Sequence, residues 1–158
     1  MKVDLLKNHT HLLEEIAKQM FFEFGPLNPS KTLADFIVGL KKHCNDTHLP
    51  MTWVVLENGY FIGTFSLRQY DLASHADLSP WLGSVLVPLE HRNRGIGAFL
   101  VKQAEGMAQE MGFNLLYLFT PSKSSWYAKL GWETTSQSDL NKTPITIMQK
   151  SILSKSHD

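Results

Sequence analysis

Between Trp81 and Thr120 the hydrophobic period of the chain changes twice, and no other stretch restricts the fold as much. The run "WLGSVLV" has the composition of a buried strand and stops at Pro88. Charged residues come next, then Arg92-Asn93-Arg94-Gly95-Ile96-Gly97. From Gly95 onward Ile96, Leu100, Ala104, Ala108 and Met111 recur at helical spacing, and Gly112 is placed as the stop. The apolar run "NLLYLF" then reads as a second buried strand. A strand–helix–strand unit needs a sheet to sit in, so the expected class is a mixed α/β sheet.

The flanking segments fit that frame. Leu12, Leu13, Ile16 and Met20 mark a first helix, broken by Gly25, Pro26 and Pro29. A second helix is predicted from Thr32, with Asp35 three residues on as a capping partner and Leu33, Phe36, Ile37 and Leu40 as its apolar face. In "MTWVVLENGYFIGTFSL" two β-rich runs flank Asn58-Gly59, the pair that a type I′ hairpin turn favours because both central residues need positive φ. "SSWYAKLG" reads as a short helix ended by Gly131, and "TPITIMQK" as a last strand. The expected order is helix, helix, hairpin, strand, helix, strand, helix, strand, with a short polar tail after Ile152. No linker divides the 158 residues, so one domain over 1–158 is expected, with a core over about 8–152.

Composition excludes several classes. Fifteen basic and fifteen acidic side chains cancel, which argues against a strong nucleic-acid or membrane-surface binder. The lone cysteine, Cys44, has no internal disulfide partner, which fits a reducing compartment. Glu14 and Glu15 interrupt the only N-terminal stretch resembling a secretory leader, and no apolar run approaches the ~20 residues that cross a bilayer. A cytoplasmic setting is the expectation. His9, His11, His43 and His48 lack metal-ligand spacing with Cys44, so no metal is expected.

The glycine turn carries the chemistry. Amide N–H groups in the first turn of a helix have no intrahelical partner, and the helix dipole adds partial positive charge there. Glycines admit a phosphate close to that backbone, and arginines add charge. The nucleotide P-loop string is absent, and the dinucleotide fingerprint fails at Leu100, where a small residue is needed. Solvated arginines around a plain turn are the competing reading of Gly-x-Gly alone.

The wider string decides against that. Val85, Val87, Pro88, His91-Arg92, Arg94-Gly95-Ile96-Gly97 and Leu100 together resemble the acyl-CoA-binding motif of the GNAT superfamily of N-acyltransferases. "WYAKLGW" at Trp126–Trp132 and "ITIMQK" at Ile145–Lys150 resemble its later segments, and the Asn58-Gly59 hairpin resembles its second and third strands. The resemblance covers roughly residues 8 to 152. It implies a GNAT-like fold, a central and mostly antiparallel sheet with helices on both faces, and acetyl-CoA as co-substrate.

The same resemblance implies roles. The amides of Asn93, Arg94, Gly95, Ile96, Gly97 and Ala98 would hold the coenzyme A pyrophosphate, with Arg92 and Arg94 flanking it. The main chain of Leu86 and Val87 would pair with the pantetheine arm like an added strand. Tyr127 occupies the family's general-acid position, where a phenol of pKa about 10 can share or donate a proton to a thiolate whose conjugate acid lies near 8.5. On residues alone Tyr127 also reads as packing with Trp126 and Trp132.

Many relatives carry a glutamate on the strand entering the phosphate turn, but "WLGSVLV" has no ionisable side chain. His75 and Asp77, just upstream, are the loop candidates for a water-relayed base, against a reading as solvated loop. A weakly basic substrate amine would also meet the gap, since an α-amine (pKa about 7.7–8.0) is far more often neutral than a lysine-like one (about 10.4). Phe21, Phe22 and Phe24 are candidate substrate contacts beside their reading as core. The expected activity is direct acetyl transfer to a primary amine of a small molecule or peptide, by a monomer or homodimer. The alternatives are a non-catalytic acyl-CoA sensor and, against the neutral charge, a modifier of tRNA or ribosomes.

Overall fold

A computed structural model of the protein describes residues 1–153. The residues from 154 onward, most of the expected polar tail, lie outside the described ones. The chain runs β1 (Lys2–Leu5), α1 (Leu13–Phe24), α2 (Leu33–Lys41), β2 (Met51–Glu57), β3 (Tyr60–Arg68), β4 (Trp81–Leu86), α3 (Ile96–Glu110), β5 (Leu115–Thr120), α4 (Ser124–Lys129), β6 (Glu133–Leu140) and β7 (Thr143–Ser151). The strands form one sheet in the order β1-β2-β3-β4-β5-β7-β6. Among the described strands only β4 and β5 pair in parallel; every other neighbouring pair is antiparallel.

The local signals work as chemistry requires. Thr32 accepts from the Asp35 amide at 3.2 Å while the Asp35 carboxylate accepts from the Thr32 amide at 2.8 Å, a complete capping box. Asn58 and Gly59 adopt φ of 52° and 81°, as the two-residue hairpin demands. Two strands depart from expectation. β1 is only four residues long and carries too little periodicity to be read. β6, "ETTSQSDL", is polar and largely exposed, so it shows no apolar alternation; pairing with β7 makes it a strand.

Alternation along β2 explains the layers. Met51, Trp53 and Val55 join Phe65 and Leu67 of β3 in the cluster that packs on α3 through Ile96, Leu100, Val101, Ala104 and Ala108. Val54 and Leu56 point the other way, into a cluster with Leu13, Ile16, Ala17 and Met20 of α1 and Leu40 of α2. Period-two strands buried on both faces thus hold helices on both sides. The α3 face is tight: a Cβ on Gly63 would fall 3.1 Å from Leu100. Truncating the fully buried Leu100 to alanine is expected to cost about 2–5 kcal/mol.

Two irregularities in β4 shape the sheet around it. Ser66 pairs Gly83 and Thr64 pairs Leu86, so β4 spends one more residue than β3 between those rungs. This bulge carries Ser84 at φ 51°. On its other side, β4 registers with β5 only at Trp81–Tyr117, reinforced by the Tyr117 amide on the Pro80 carbonyl at 3.0 Å. Past that rung the two strands separate.

Candidate active site

The separation of β4 and β5 opens a cleft of about 1100 Å³ at the carboxyl ends of the parallel pair. That exceeds the ~300–1,000 Å³ of sites for drug-sized ligands, and crevices outside strand carboxyl ends are where open α/β sheets bind ligands. One wall is β4 from Leu82 to Leu86 with Val87 just beyond it; the other is Leu118 to Lys123. Because registry with β5 ends at Trp81, the β4 backbone facing the cleft has no strand partner there. Such an edge is a template for an extended ligand.

The glycine turn closes one end. After Pro88 a single 3-10 turn, Leu89–His91, leads to Asn93 at φ 65° and Gly95 at φ 78°, and α3 begins. The first helical bond is from the Phe99 amide to the Gly95 carbonyl at 3.2 Å, so the amides of Ile96, Gly97 and Ala98 precede the helix's own ladder. Gly95 offers no side chain to cap them, and no acidic residue occupies the first turn. A Cβ on Gly97 would fall 3.3 Å from the Trp126 ring, so glycine lets the indole lie against the turn. Free amides, an uncluttered backbone and a first turn without carboxylates fit a pyrophosphate.

The motif predicts both arginines beside that anion, but their side chains take different directions. Arg92 lines the cleft, donating from Nε to the Val87 carbonyl at 2.9 Å and from Nη2 to Glu23 at 3.3 Å. Arg94 turns away to the hairpin, gripping both oxygens of Glu57 at 2.9 and 3.0 Å. The Arg94 guanidinium holds the Glu57 carboxyl below its ordinary range. Arg94 therefore ties the turn to β2, while Leu86 fills core with its side chain and Val87 has its carbonyl engaged by Arg92.

Tyr127 lies on α4, opposite β4, and lines the cleft although only 8% of it is exposed. It packs edge-on to Trp126 and Trp132, with centroids at 4.9 and 6.2 Å. Packing against its neighbours and facing the cleft are thus compatible. Burial pushes the phenol up to about 12.

At the far end the structure assembles side chains that no motif announces. Arg68, at the end of β3, donates from Nη1 to Asp71 Oδ1 at 2.8 Å and from Nη2 to the Ser84 hydroxyl on the β4 bulge. His43, after α2, contacts the Thr52 hydroxyl at 3.0 Å, and Thr52 contacts Ser66 at 2.6 Å. Burial, with Arg68 nearby, pushes His43 down to about 3. Arg68, Asp71, Ser84 and His43 all line the cleft. His75 and Asp77 do not: they belong to the more exposed part of the β3–β4 loop, where His75 bonds its neighbour Ser74. Phe24 reaches the cleft, Phe21 packs edge-on to Phe36, and Phe22 is 85% exposed. Asp71 and His43 stand alone in sequence, and only the folded sheet brings them to one place.

Among the described residues, no group of three or more His, Cys, Asp or Glu is placed to hold a metal. No helix there is long and apolar enough to cross a membrane.

Comparison with known proteins assigns the family. The model of the acetyltransferase (GNAT) family matches residues 10–132, and the chain belongs to that family. It is an acetyl-CoA-dependent N-acetyltransferase by that membership. Among solved structures, an aminoglycoside 6′-N-acetyltransferase complexed with coenzyme A superposes with a TM-score of 0.78 at 14% identity, over 99% of this chain and 100% of that one. The aminoglycoside 6′-N-acetyltransferase of Enterococcus faecium gives 0.76 at 14% identity over the same shares. The Salmonella typhimurium protein yncA, solved with acetyl-CoA, gives 0.69 at 16% identity over 100% and 97%. No curated protein matches the sequence.

Proposed function

We propose that this protein transfers an acetyl group from acetyl-CoA directly to a primary amine, with the coenzyme lying along β4 and Tyr127 as hydrogen-bond donor to the departing sulfur. The observation that carries the reading is the unpartnered β4 edge leading, within one cleft, from the free amides of the α3 turn to the buried phenol of Tyr127. Bound acetyl-CoA supplies an activated thioester. The amides of residues 93–98, with Arg92, would hold its pyrophosphate, and the main chain of Ser84–Val87 would align its pantetheine. Holding thioester and amine side by side supplies much of the acceleration.

In the transfer, the amine nitrogen bonds the thioester carbon, the carbon–sulfur bond breaks, and the amine proton leaves to solvent. Tyr127 stays protonated throughout the physiological range because burial pushes it to about 12. Full proton transfer to an ordinary thiolate, with a conjugate acid near 8.5, is unfavourable from such a phenol. Its contribution is a hydrogen bond from a buried phenol that strengthens as negative charge builds on sulfur. We assign the acceptor to small-molecule or peptide amines, acted on in the cytoplasm. The solved relatives named for aminoglycosides put amino sugars first in the panel to test.

The test is coenzyme A thiol release from acetyl-CoA across aminoglycosides, polyamines and peptides with free α-amines. Amine-dependent release supports the proposal. Tight acetyl-CoA binding with no release from any class would favour a sensor.

A further inference from the structure

We propose that Asp71, braced by Arg68, is the residue that seats the acceptor's amino group against the thioester. This deepens the function proposed above and rests on the coenzyme lying along β4.

The geometry sets the position. A coenzyme anchored at the α3 turn and running back along β4 passes Val87, Leu86 and Val85 and brings its reactive end to Ser84 and Gly83. There the strand bulges, and there the Arg68–Asp71 pair sits. A Cβ on Gly83 would fall 2.9 Å from Arg68 Nη1 and 3.2 Å from Asp71 Oδ2. The guanidinium and carboxylate thus lie directly over the backbone at residue 83. Arg68 is fixed from two sides, by Asp71 Oδ1 at 2.8 Å and by the Ser84 hydroxyl. The Asp71 side chain is only 10% exposed.

The two carboxylate oxygens have different tasks. Oδ1 is engaged by Arg68, so that Oδ2, toward Gly83, is the oxygen left to accept from an ammonium or amine. Arg68 neutralises much of the negative charge, so Asp71 orients the nitrogen by hydrogen bonding more than by long-range attraction. His43, which also lines this end of the cleft beside Arg68, is held by Thr52. Its burial beside Arg68 leaves Asp71 as the anionic acceptor at this point of the cleft. This supplies, from the β3–β4 loop, the carboxylate that β4 itself lacks. Arg68 is a positioning residue, since it acts on the substrate through Asp71.

A matched pair of probes tests this without knowledge of the natural acceptor. S-(2-aminoethyl)-coenzyme A carries a primary ammonium just beyond the sulfur, and S-propyl-coenzyme A is its uncharged counterpart. Calorimetric titration of the wild-type protein is expected to show the amino probe binding about 10-fold more tightly than the propyl probe, the scale of a hydrogen bond to a charged group. Asp71→Asn should abolish that preference while leaving propyl-probe affinity within about twofold, and Asp71→Glu should restore part of it. The propyl-probe affinity reports that the fold survives each change. Equal affinities for the two probes in wild type, or a preference that persists in Asp71→Asn, would overturn the assignment of Asp71. Failure of both probes to bind the wild type would overturn the coenzyme reading beneath it.

Discussion

The two ends of the cleft are built by different means. At the α3 turn, the coenzyme recognition proposed above belongs to the backbone: left-handed Asn93 and Gly95, helix amides before the first ladder bond, and a β4 edge without a partner. At the far end, it belongs to side chains drawn from separate elements, with His43 after α2, Arg68 and Asp71 at and after the end of β3, and Ser84 on the β4 bulge. Backbone recognition demands particular φ values and clearances, which only a few residue types satisfy, so it leaves a motif. Side-chain recognition is set by which loops meet over the sheet, and each contributor stands alone in sequence. One end suits a ligand common to a family; the other suits a ligand particular to one member.

The largest effect expected is on the reacting bond, where the ends meet. Tyr127→Phe should lower kcat by about 10²–10³, the scale of losing one hydrogen-bond donor to developing charge, with acetyl-CoA affinity retained, measured by thiol release and by direct titration. Because the phenol lies near 12, wild-type kcat should show no alkaline loss assignable to Tyr127 below about pH 11. A tyrosine-dependent fall near pH 9 would mean that water reaches the phenol far more freely than its burial implies.

The backbone end should break next. Gly95→Ala places a Cβ at φ 78°, which costs roughly 1–2 kcal/mol, and Gly97→Val drives a branched side chain toward Trp126. Both should weaken acetyl-CoA binding far more than they alter the KM of the amine once coenzyme is saturating. Equal effects on both substrates would erase the distinction between the two ends.

His43 sharpens the other side through stability. Its pKa, about 3 in the fold, lies below the ordinary 6.5, so an unfolded chain binds a proton that the folded one does not. Its contribution is fully present above pH 6.5 and is lost as pH falls toward 3, with a slope of at most about 1.4 kcal/mol per pH unit. Denaturant unfolding across that window should show the slope, and His43→Gln should flatten it whatever it does to absolute stability.

The smallest effect is expected at the tie between turn and hairpin. Glu57→Gln removes one partner of an exposed ion pair, and the melting temperature should move by no more than about 2 °C.

The same division explains how much of the molecule was legible in its sequence. The Asn58-Gly59 turn, the Thr32 cap and the unit from Trp81 to Thr120 are each specified by neighbouring residues, and the structure has all three. β6 was not legible because an exposed edge strand needs no apolar alternation; its identity comes from β7. The turn into α3 could be read because glycines announce it. Asp71 could not, since His75 and Asp77 in the same loop have equally suitable chemistry, and only the β3–β4 path over Gly83 separates the residue in the cleft from those outside it. Arg92 and Arg94 look equivalent in sequence, yet one faces Glu23 across the cleft and the other grips Glu57.

The most direct test of a backbone-built coenzyme site is amide hydrogen exchange with and without saturating coenzyme A. Slowed exchange is expected at Ser84–Val87, along the β4 edge and just past its end, and at Arg94–Ala98 in the α3 turn, with α1 and α2 unchanged. Unaltered exchange in both segments, with protection appearing elsewhere on the molecule, would refute a coenzyme site on this edge and turn.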